Sequence, residues 1–452
     1  MSLSITDSYL TRYRAVVGTT ADPTAVLPLT GAQRRFLLAR ALDPLGRPDL
    51  APLFFHFPRG AVDLSRLRRA AVGFAGRHTV LRGRVGLLKG VPVLRAGEPS
   101  VDVRRVPVPS GAAQDALRAE LGTAQTYGPA LRLLLACGPE EEQETLAVVL
   151  DHLACDEQSL GAVVSGISRA YEDTDNGDGP RHGAEYGAEY EAEDGAVYRE
   201  AVESQLRAER AASTEASLTY WGERLSGLSG PVADPAQAQE AQDAQDDRSP
   251  EKGMLSHVLP AVPPRSRGVL FPALLDAGTA ALRTWSAGAG TPALGYPWGG
   301  RPPAQPDVMG CFINTLVHPA ASGPARIEDT AAAWWDDLDH AGTPYDEVVR
   351  AVRLTGGNWP GTLDGILTFE DLGRRSALRL AGETGRETHV AAPLRYAAPV
   401  GVAASYGDDL LVRLVWERSG ASDDLAQEAF GALLDTLRRH LYAALPTAVA
   451  AP

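Results

Sequence analysis

Cysteine, lysine and long apolar runs are all scarce in this 452-residue chain, and each scarcity closes off a class of protein. The three cysteines, Cys137, Cys155 and Cys311, form neither an even framework nor a CxxC pair, which argues against a disulfide scaffold and a structural zinc. Histidines do not cluster at ligand spacing either, so no metal site is expected. No apolar stretch approaches the ~20 residues of a bilayer-spanning helix. The start, MSLSITDSYLTRYRAVVG, lacks the basic-then-apolar layout of a secretory signal. The reading is a reduced, cytoplasmic protein with no membrane partner. Lysine occurs only at Lys89 and Lys252; arginine carries the remaining positive charge, and the net charge is −14. A nucleic-acid partner needs a basic face and is not expected.

What is present is an ordinary globular composition, 44% hydrophobic and 22% charged, over a length too great for one ordinary core. Helical spacing of apolar residues predicts helices over Gln33–Ala41, Leu64–Arg77, Ala112–Gln125, Leu160–Tyr171, Val197–Leu225, Phe271–Trp285 and Ala426–Ala444. Short apolar or alternating runs predict strands over 53–58, 79–85, 91–95, 131–136, 145–150, 311–317, 364–369, 399–405 and 410–416. The acidic stretches near 172–195 and 233–253 read as linkers. The pattern is two α+β halves of about 200 residues each.

One stretch points to chemistry. In VVLDHLACDEQSL, residues 148–160, His152, Asp156 and Glu157 follow closely on the apolar run Leu146–Leu150. A strand end followed by a helix start is where α/β folds place reactive groups. Asp156, just past the turn, can accept hydrogen bonds from backbone N–H groups at the helix start or pair with an arginine. Either arrangement would fix the loop that aims His152.

Asp151-His152-Leu153-Ala154-Cys155-Asp156-Glu157-Gln158-Ser159 resembles the H-H-x-x-x-D-G signature, with a serine two residues on, of nonribosomal peptide synthetase condensation domains. These are members of the chloramphenicol-acetyltransferase-like superfamily. Further stretches are similar to the family's motifs in family order: PLTGAQRRFLLARALDP (28–44), RHTVLRGRV (77–85), YWGERLSGL (220–228), GYPWGGRP (295–302), MGCFINTLV (309–317) and TPYDEVVRAV (343–352).

The resemblance implies two acetyltransferase-like lobes in a V with a tunnel between them, an N-terminal lobe over 1–175 and a C-terminal lobe over 176–452. An acidic disordered loop is expected near 233–253. It implies a free-standing condensation enzyme of natural-product biosynthesis, an acyltransferase forming amides or esters. The enzyme would join an acyl or aminoacyl thioester to an amine, or less often an alcohol. No cofactor is expected to be tightly bound. The phosphopantetheine arm of an acyl or peptidyl carrier protein, supplied in trans, would bring the donor; the acceptor would be a small molecule or itself carrier-bound. His152 would act as general base, or position the acceptor and stabilise the tetrahedral intermediate, as a neutral imidazole. Asp156 would pair with Arg301 from the other lobe, with Asp151 and Ser159 supporting the motif. Glu157, Gly310 and Asn314 would line the tunnel.

Two departures from the signature bear on this. Asp151 replaces the first histidine and creates the D-x-x-x-x-D-x-x-S pattern of heterocyclization domains, although Phe369 stands where their threonine would be. Glu157 replaces a glycine, as in recruitment domains that bind partner enzymes without condensing anything; those lose the catalytic histidine, which this chain keeps. A heterocyclization domain and a non-catalytic recruitment module are therefore the alternatives. Cys155 and Cys311 read as small space-filling residues rather than acyl-forming thiols. Arg34-Arg35, Arg66, Arg68-Arg69, Arg350 and Arg353 are candidates for a basic dock facing an acidic carrier protein.

Overall fold

A computed structural model of the chain describes residues 4–42, 49–123, 128–173, 184–228, 252–286, 290–302, 305, 308–320, 323, 325–390, 398–418 and 422–442. It divides into two compact units. Unit 1 comprises 1–212, 299–314 and 375–395; unit 2 comprises 213–298, 315–374 and 396–452.

Unit 1 is built on a five-stranded sheet. Its order is β14 (Arg386–Thr388), β2 (Leu50–Pro58), β7 (Gln143–Asp151), β6 (Leu131–Ala136) and β5 (Val101–Arg105). The pairings are antiparallel except β5 with β6. A smaller sheet joins β1 (Val26–Leu27), β4 (Val91–Arg95) and β3 (Arg84–Leu88), with α1 (Ile5–Val17) against β4, and a two-stranded ribbon pairs β12 (Arg379–Leu380) with β13 (Glu383–Thr384). The Leu146–Leu150 run is explained by burial on both faces of the main sheet. Leu146, Val148 and Leu150 enter the larger core, with α3 (Leu64–Gly76) and α6 (Glu157–Asp173). Ala147 and Val149, pointing the other way, meet Leu117 and Leu121 of α5 (Ala113–Gly122). All five are fully buried. Each leucine and valine contributes about 1.5–3 kcal/mol, so the register of β7 is firmly held and its polar end, Asp151, emerges at a fixed place.

Unit 1 runs past the expected lobe boundary at 175 because α7 (Ala184–Ala212) buries Tyr198, Ala201, Val202 and Leu206 in the same core. The later segments join for the same reason: Met309 and Phe312 from one, Leu378 and Leu380 from the other, are buried there. The expected acidic loop lies outside the described residues as far as 251, and Lys252-Gly253 already open a strand.

The strand expected over 79–85 is instead a helical turn, α4 (Thr79–Arg82), followed by β3. Asp194 of α7 accepts a hydrogen bond from the Thr79 N–H (2.6 Å) and another from its hydroxyl, and it pairs with Arg82 at 3.6 Å. This distant carboxylate caps the turn and overrides the β-propensity of Thr-Val-Leu. The helix expected over Val197–Leu225 is two helices. Thr214 caps α8 (Glu215–Arg224) by accepting from the Ser217 N–H at 3.1 Å, and the break falls at the boundary between the units.

Unit 2 has a six-stranded sheet. Its order is β10 (Asn314–Pro319), β9 (Ala293–Trp298), β11 (Gly365–Asp371), β15 (Val400–Tyr406), β16 (Leu410–Glu417) and β8 (Lys252–Leu259). β9, β11 and β15 run parallel; β16 and β8 are antiparallel. Helices α9 (Leu270–Trp285) and α12 (Asp423–Leu441) share its core with Trp221, Trp359 and Trp416. Asp337 of α10 (Ile327–Asp339) is fully buried and accepts from Tyr220 at 2.7 Å and from Arg224 at 3.0 Å. α11 (Tyr345–Leu354) closes the unit beside α8.

Candidate active site

The site is assembled within unit 1, where β7 ends. From Asp151 the chain enters a 3₁₀ turn, His152–Ala154, and α6 begins at Glu157. Asp151 caps the turn, its Oδ1 accepting from the Leu153 N–H at 2.9 Å. Its carboxylate is also held by both terminal nitrogens of Arg40, at 2.6 and 3.0 Å. Arg40 lies in α2 (Gly31–Leu42) and is 1% exposed. Burial lowers its basicity, but Asp151 and Asp49 more than reverse this, and its affinity for the proton rises. The acid in the first-histidine position is therefore spoken for by an ion pair.

His152 is half-buried. Its backbone N–H donates to the Asp49 carbonyl at 3.1 Å, and its ring packs on Phe36 with centroids 4.6 Å apart. Nδ1 is shielded from solvent and makes no hydrogen bond. Burial pulls the imidazole below the ordinary histidine range. Its own backbone carbonyl, Asp49 and Asp151 oppose this without reversing it. The ring is therefore neutral near pH 7, the form a general base requires.

Asp156 makes both kinds of contact expected of it. Oδ1 accepts from the N–H and the hydroxyl of Ser159 at 2.9 and 2.8 Å; Oδ2 accepts from Arg301 at 2.6 Å and from the Phe312 N–H at 3.3 Å. Arg301 also donates to the Val308 carbonyl at 2.7 Å and lies over the Phe312 ring. Arg301 belongs to unit 1 and not to the other half, because its segment is anchored by Met309 and Phe312 in this core. Ser159 Oγ accepts from the Gly310 N–H at 3.1 Å and lies 3.0 Å from the Gly310 carbonyl. Cys311 and Phe312 thus bond to side chains rather than to a neighbouring strand, and β10 begins only at Asn314. Gly310 is buried and Asn314 half-buried.

Glu157 does not turn toward His152. Its side chain is 54% exposed and pairs at 2.7 Å with Arg375, whose own side chain is 3% exposed and also meets Glu387 at 2.5 Å. Cys155 and Cys311 are buried, and desolvation raises both thiols, Cys311 to about 12 and Cys155 well above its usual value. Neither is a thiolate nucleophile at neutral pH.

The opening motif has a physical meaning that spacing alone only hints at. Thr30 and Gln33 form a capping box: the Gln33 N–H donates to Thr30 Oγ1 at 3.2 Å, and Gln33 Oε1 accepts from the Thr30 N–H at 3.1 Å. Gln33 Nε2 then reaches the Leu153 carbonyl at 2.8 Å, beside His152. Arg40, Asp49 and Arg375 were not legible as site residues, because ion pairs across 111 and 218 positions leave no local pattern.

Most of the dock arginines serve the fold. Arg34 donates to the Leu29 carbonyl, Arg66 to that of Tyr171, Arg68 to that of Val103 and Arg353 to that of Pro360; Arg350 pairs with Glu347.

No protein-family profile matches the chain. A probable non-canonical nonribosomal peptide synthetase, CymA, of Salinispora arenicola is 29% identical over 345 residues, 73% of this chain and 4% of that protein. Tyrocidine synthase 2 of Brevibacillus parabrevis is 24% identical over 353 residues, 74% of this chain and 9% of that protein. The chain therefore spans a small fraction of the curated relatives it matches. Among solved structures, the first condensation domain of the CDA synthetase superposes with a TM-score of 0.66 at 17% identity, covering 93% of this chain and 97% of that one. The chain has the condensation-domain fold. The X-domain from teicoplanin biosynthesis has this fold too, with a TM-score of 0.63, 18% identity and coverage of 91% and 94%. A condensation-domain fold therefore frames His152 without by itself deciding what His152 does.

Proposed function

We propose that the chain catalyses condensation: it joins an acyl or aminoacyl thioester, carried on the phosphopantetheine arm of a carrier protein, to an amine. The observation that carries this reading is the state of His152. Its loop is braced from two sides, by Arg40 through Asp151 and by Arg301 through Asp156, and burial keeps the ring neutral. In the reaction the amine nitrogen attacks the thioester carbonyl, the C–N bond forms and the C–S bond breaks. Neutral His152 takes the proton released from nitrogen and returns it to the departing pantetheine sulfur, so the ring ends as it began. The similarity to nonribosomal peptide synthetases supports amide-forming condensation, and the carrier-bound thioester donor is the chemistry this proposal adds to it.

The recruitment reading rests on the X-domain fold, and Glu157 now supports it less, since that carboxylate is engaged by Arg375. The heterocyclization reading is weakened at both ends. Asp151 is committed to Arg40, and Phe369 is an aromatic packed on Phe271.

The test is intact-mass analysis of product formation with a panel of acyl- and aminoacyl-loaded carrier proteins and amine acceptors. Wild type is expected to form product with some pair. His152→Ala, still folded by circular dichroism, is expected to lose about 10²–10⁴ in rate. Turnover by that variant within a few-fold of wild type would overturn the proposal.

A further inference from the structure

Three side chains on one face of α2 reach toward the turn that carries His152. Gln33, Phe36 and Arg40 stand at i, i+3 and i+7, a spacing that aligns them along a helix. Each touches a different part of the turn: Gln33 the Leu153 carbonyl, Phe36 the face of the imidazole, Arg40 the carboxylate immediately before it.

We infer that Arg40 is the positioning residue of His152, fixing through Asp151 and Asp49 the two backbone points from which the imidazole projects. The inference rests on His152 being the catalytic group. The Asp49 carbonyl accepts the His152 N–H at 3.1 Å, and the same oxygen accepts from Arg40 Nη2 at 3.2 Å. Arg40 Nε reaches Asp49 Oδ2 at 3.3 Å, so the side chain and carbonyl of Asp49 are held by one guanidinium. On the other side, Nη1 and Nη2 take both oxygens of Asp151 at 3.0 and 2.6 Å, and Asp151 Oδ1 also accepts the Leu153 N–H. The residues before and after His152 are thereby tied to one rigid planar group.

Only arginine can do this. Its five donors form a fixed fork, whereas a lysine ammonium is a single point. The charged groups acting on the imidazole are Asp49, Asp151 and Arg40. Both acids are engaged by Arg40. An ion pair this deeply buried adds little stability over apolar packing. Its position around the reacting ring accounts for it better than stability does.

The experiment is NMR of the full chain with isotope-labelled histidine, in wild type, Arg40→Lys and Asp151→Asn, with the His152 ring signals assigned by their loss in His152→Ala. Arg40→Lys keeps the charge and removes the fork. The expected result is that the His152 ring signals shift and broaden while those of the other eight histidines stay in place. With a carrier-bound aminoacyl donor and a primary amine as probes, kcat is expected to fall about tenfold or more with KM nearly unchanged, the mark of a misdirected group rather than weakened binding. If Arg40→Lys does not fold, Asp151→Asn gives the same reading. A variant that folds with His152 signals superimposable on those of wild type overturns the inference and reduces Arg40 to a structural ion pair, whatever its melting temperature. If the signals move as expected but wild type condenses no donor, the positioning role stands and the condensation reading falls.

Discussion

Truncating Arg301 and Asp156 to alanine, singly and together, probes the pair that holds the motif loop to the Gly299–Asn314 segment. The two losses are not expected to be equal. Arg301→Ala leaves Asp156, 4% exposed, with the Ser159 N–H, the Ser159 hydroxyl and the Phe312 N–H still on its oxygens. The stranded carboxylate is partly compensated, which places the cost near the lower end of the ~3–5 kcal/mol typical of a broken buried pair. Asp156→Ala leaves the Arg301 guanidinium with only neutral partners, the Val308 carbonyl, a long 3.4 Å contact to the Ser159 hydroxyl and the Phe312 ring, and it also strips an acceptor from two backbone N–H groups. Each such buried donor costs about 1–3 kcal/mol, so this variant belongs at the upper end. The double variant should cost about as much as Asp156→Ala alone, because the arginine charge is no longer stranded. The coupling energy is then about 3 kcal/mol, equal in size to the loss in Arg301→Ala. Tryptophan fluorescence cannot follow this loss, since all seven tryptophans lie in unit 2. Hydrogen exchange can: amides of α6 and residues 308–313 should exchange about a hundredfold faster in Arg301→Ala. Additive losses in the two single variants would mean that the residues do not act as a pair.

Glu157→Gln should change kcat and acceptor KM by less than about threefold and stability by less than about 1 kcal/mol, because the Glu157 end of the pair is exposed to solvent and the buried Arg375 keeps Glu387; a large rise in acceptor KM would restore the idea that this carboxylate captures an amine. His78, pulled down to about 4 chiefly by burial despite the opposing charge of Asp194, predicts a pH effect. The unfolded chain takes up a proton near 6.5 that folded unit 1 refuses, so this contribution is intact above about 6.5 and is lost as pH falls toward 4. It amounts to at most about 3 kcal/mol. Comparing the acid stability of His78→Gln with wild type isolates it, and parallel pH curves for the two would refute it.

Much of the α+β content could be read in advance because it depends on local pattern. The stripe Leu160, Val163, Val164, Ile167 and Tyr171 forms the buried face of α6, as its helical spacing requires. The errors fall where a distant group intervenes. Asp194 turned a predicted strand into a helical turn, and the bonds from Thr30, Asp156 and Ser159 kept residues 310–312 out of β10.

At the candidate site the division is similar. Local order placed a histidine at the rim of a doubly buried strand and an aspartate at the start of the next helix, because side-chain period and capping act over a few residues. Whether Asp151 met another acid, a base or water, and whether Glu157 faced the imidazole or an arginine, depended on side chains 111 and 218 positions away. Those pairings come from the folding of unit 1 around a single core, which brings α2 and the 375–390 segment to the end of β7. Burial there also set the protonation state of His152, since the cost of placing a charge in that environment is a property of everything packed around the ring and not of the five residues of its motif.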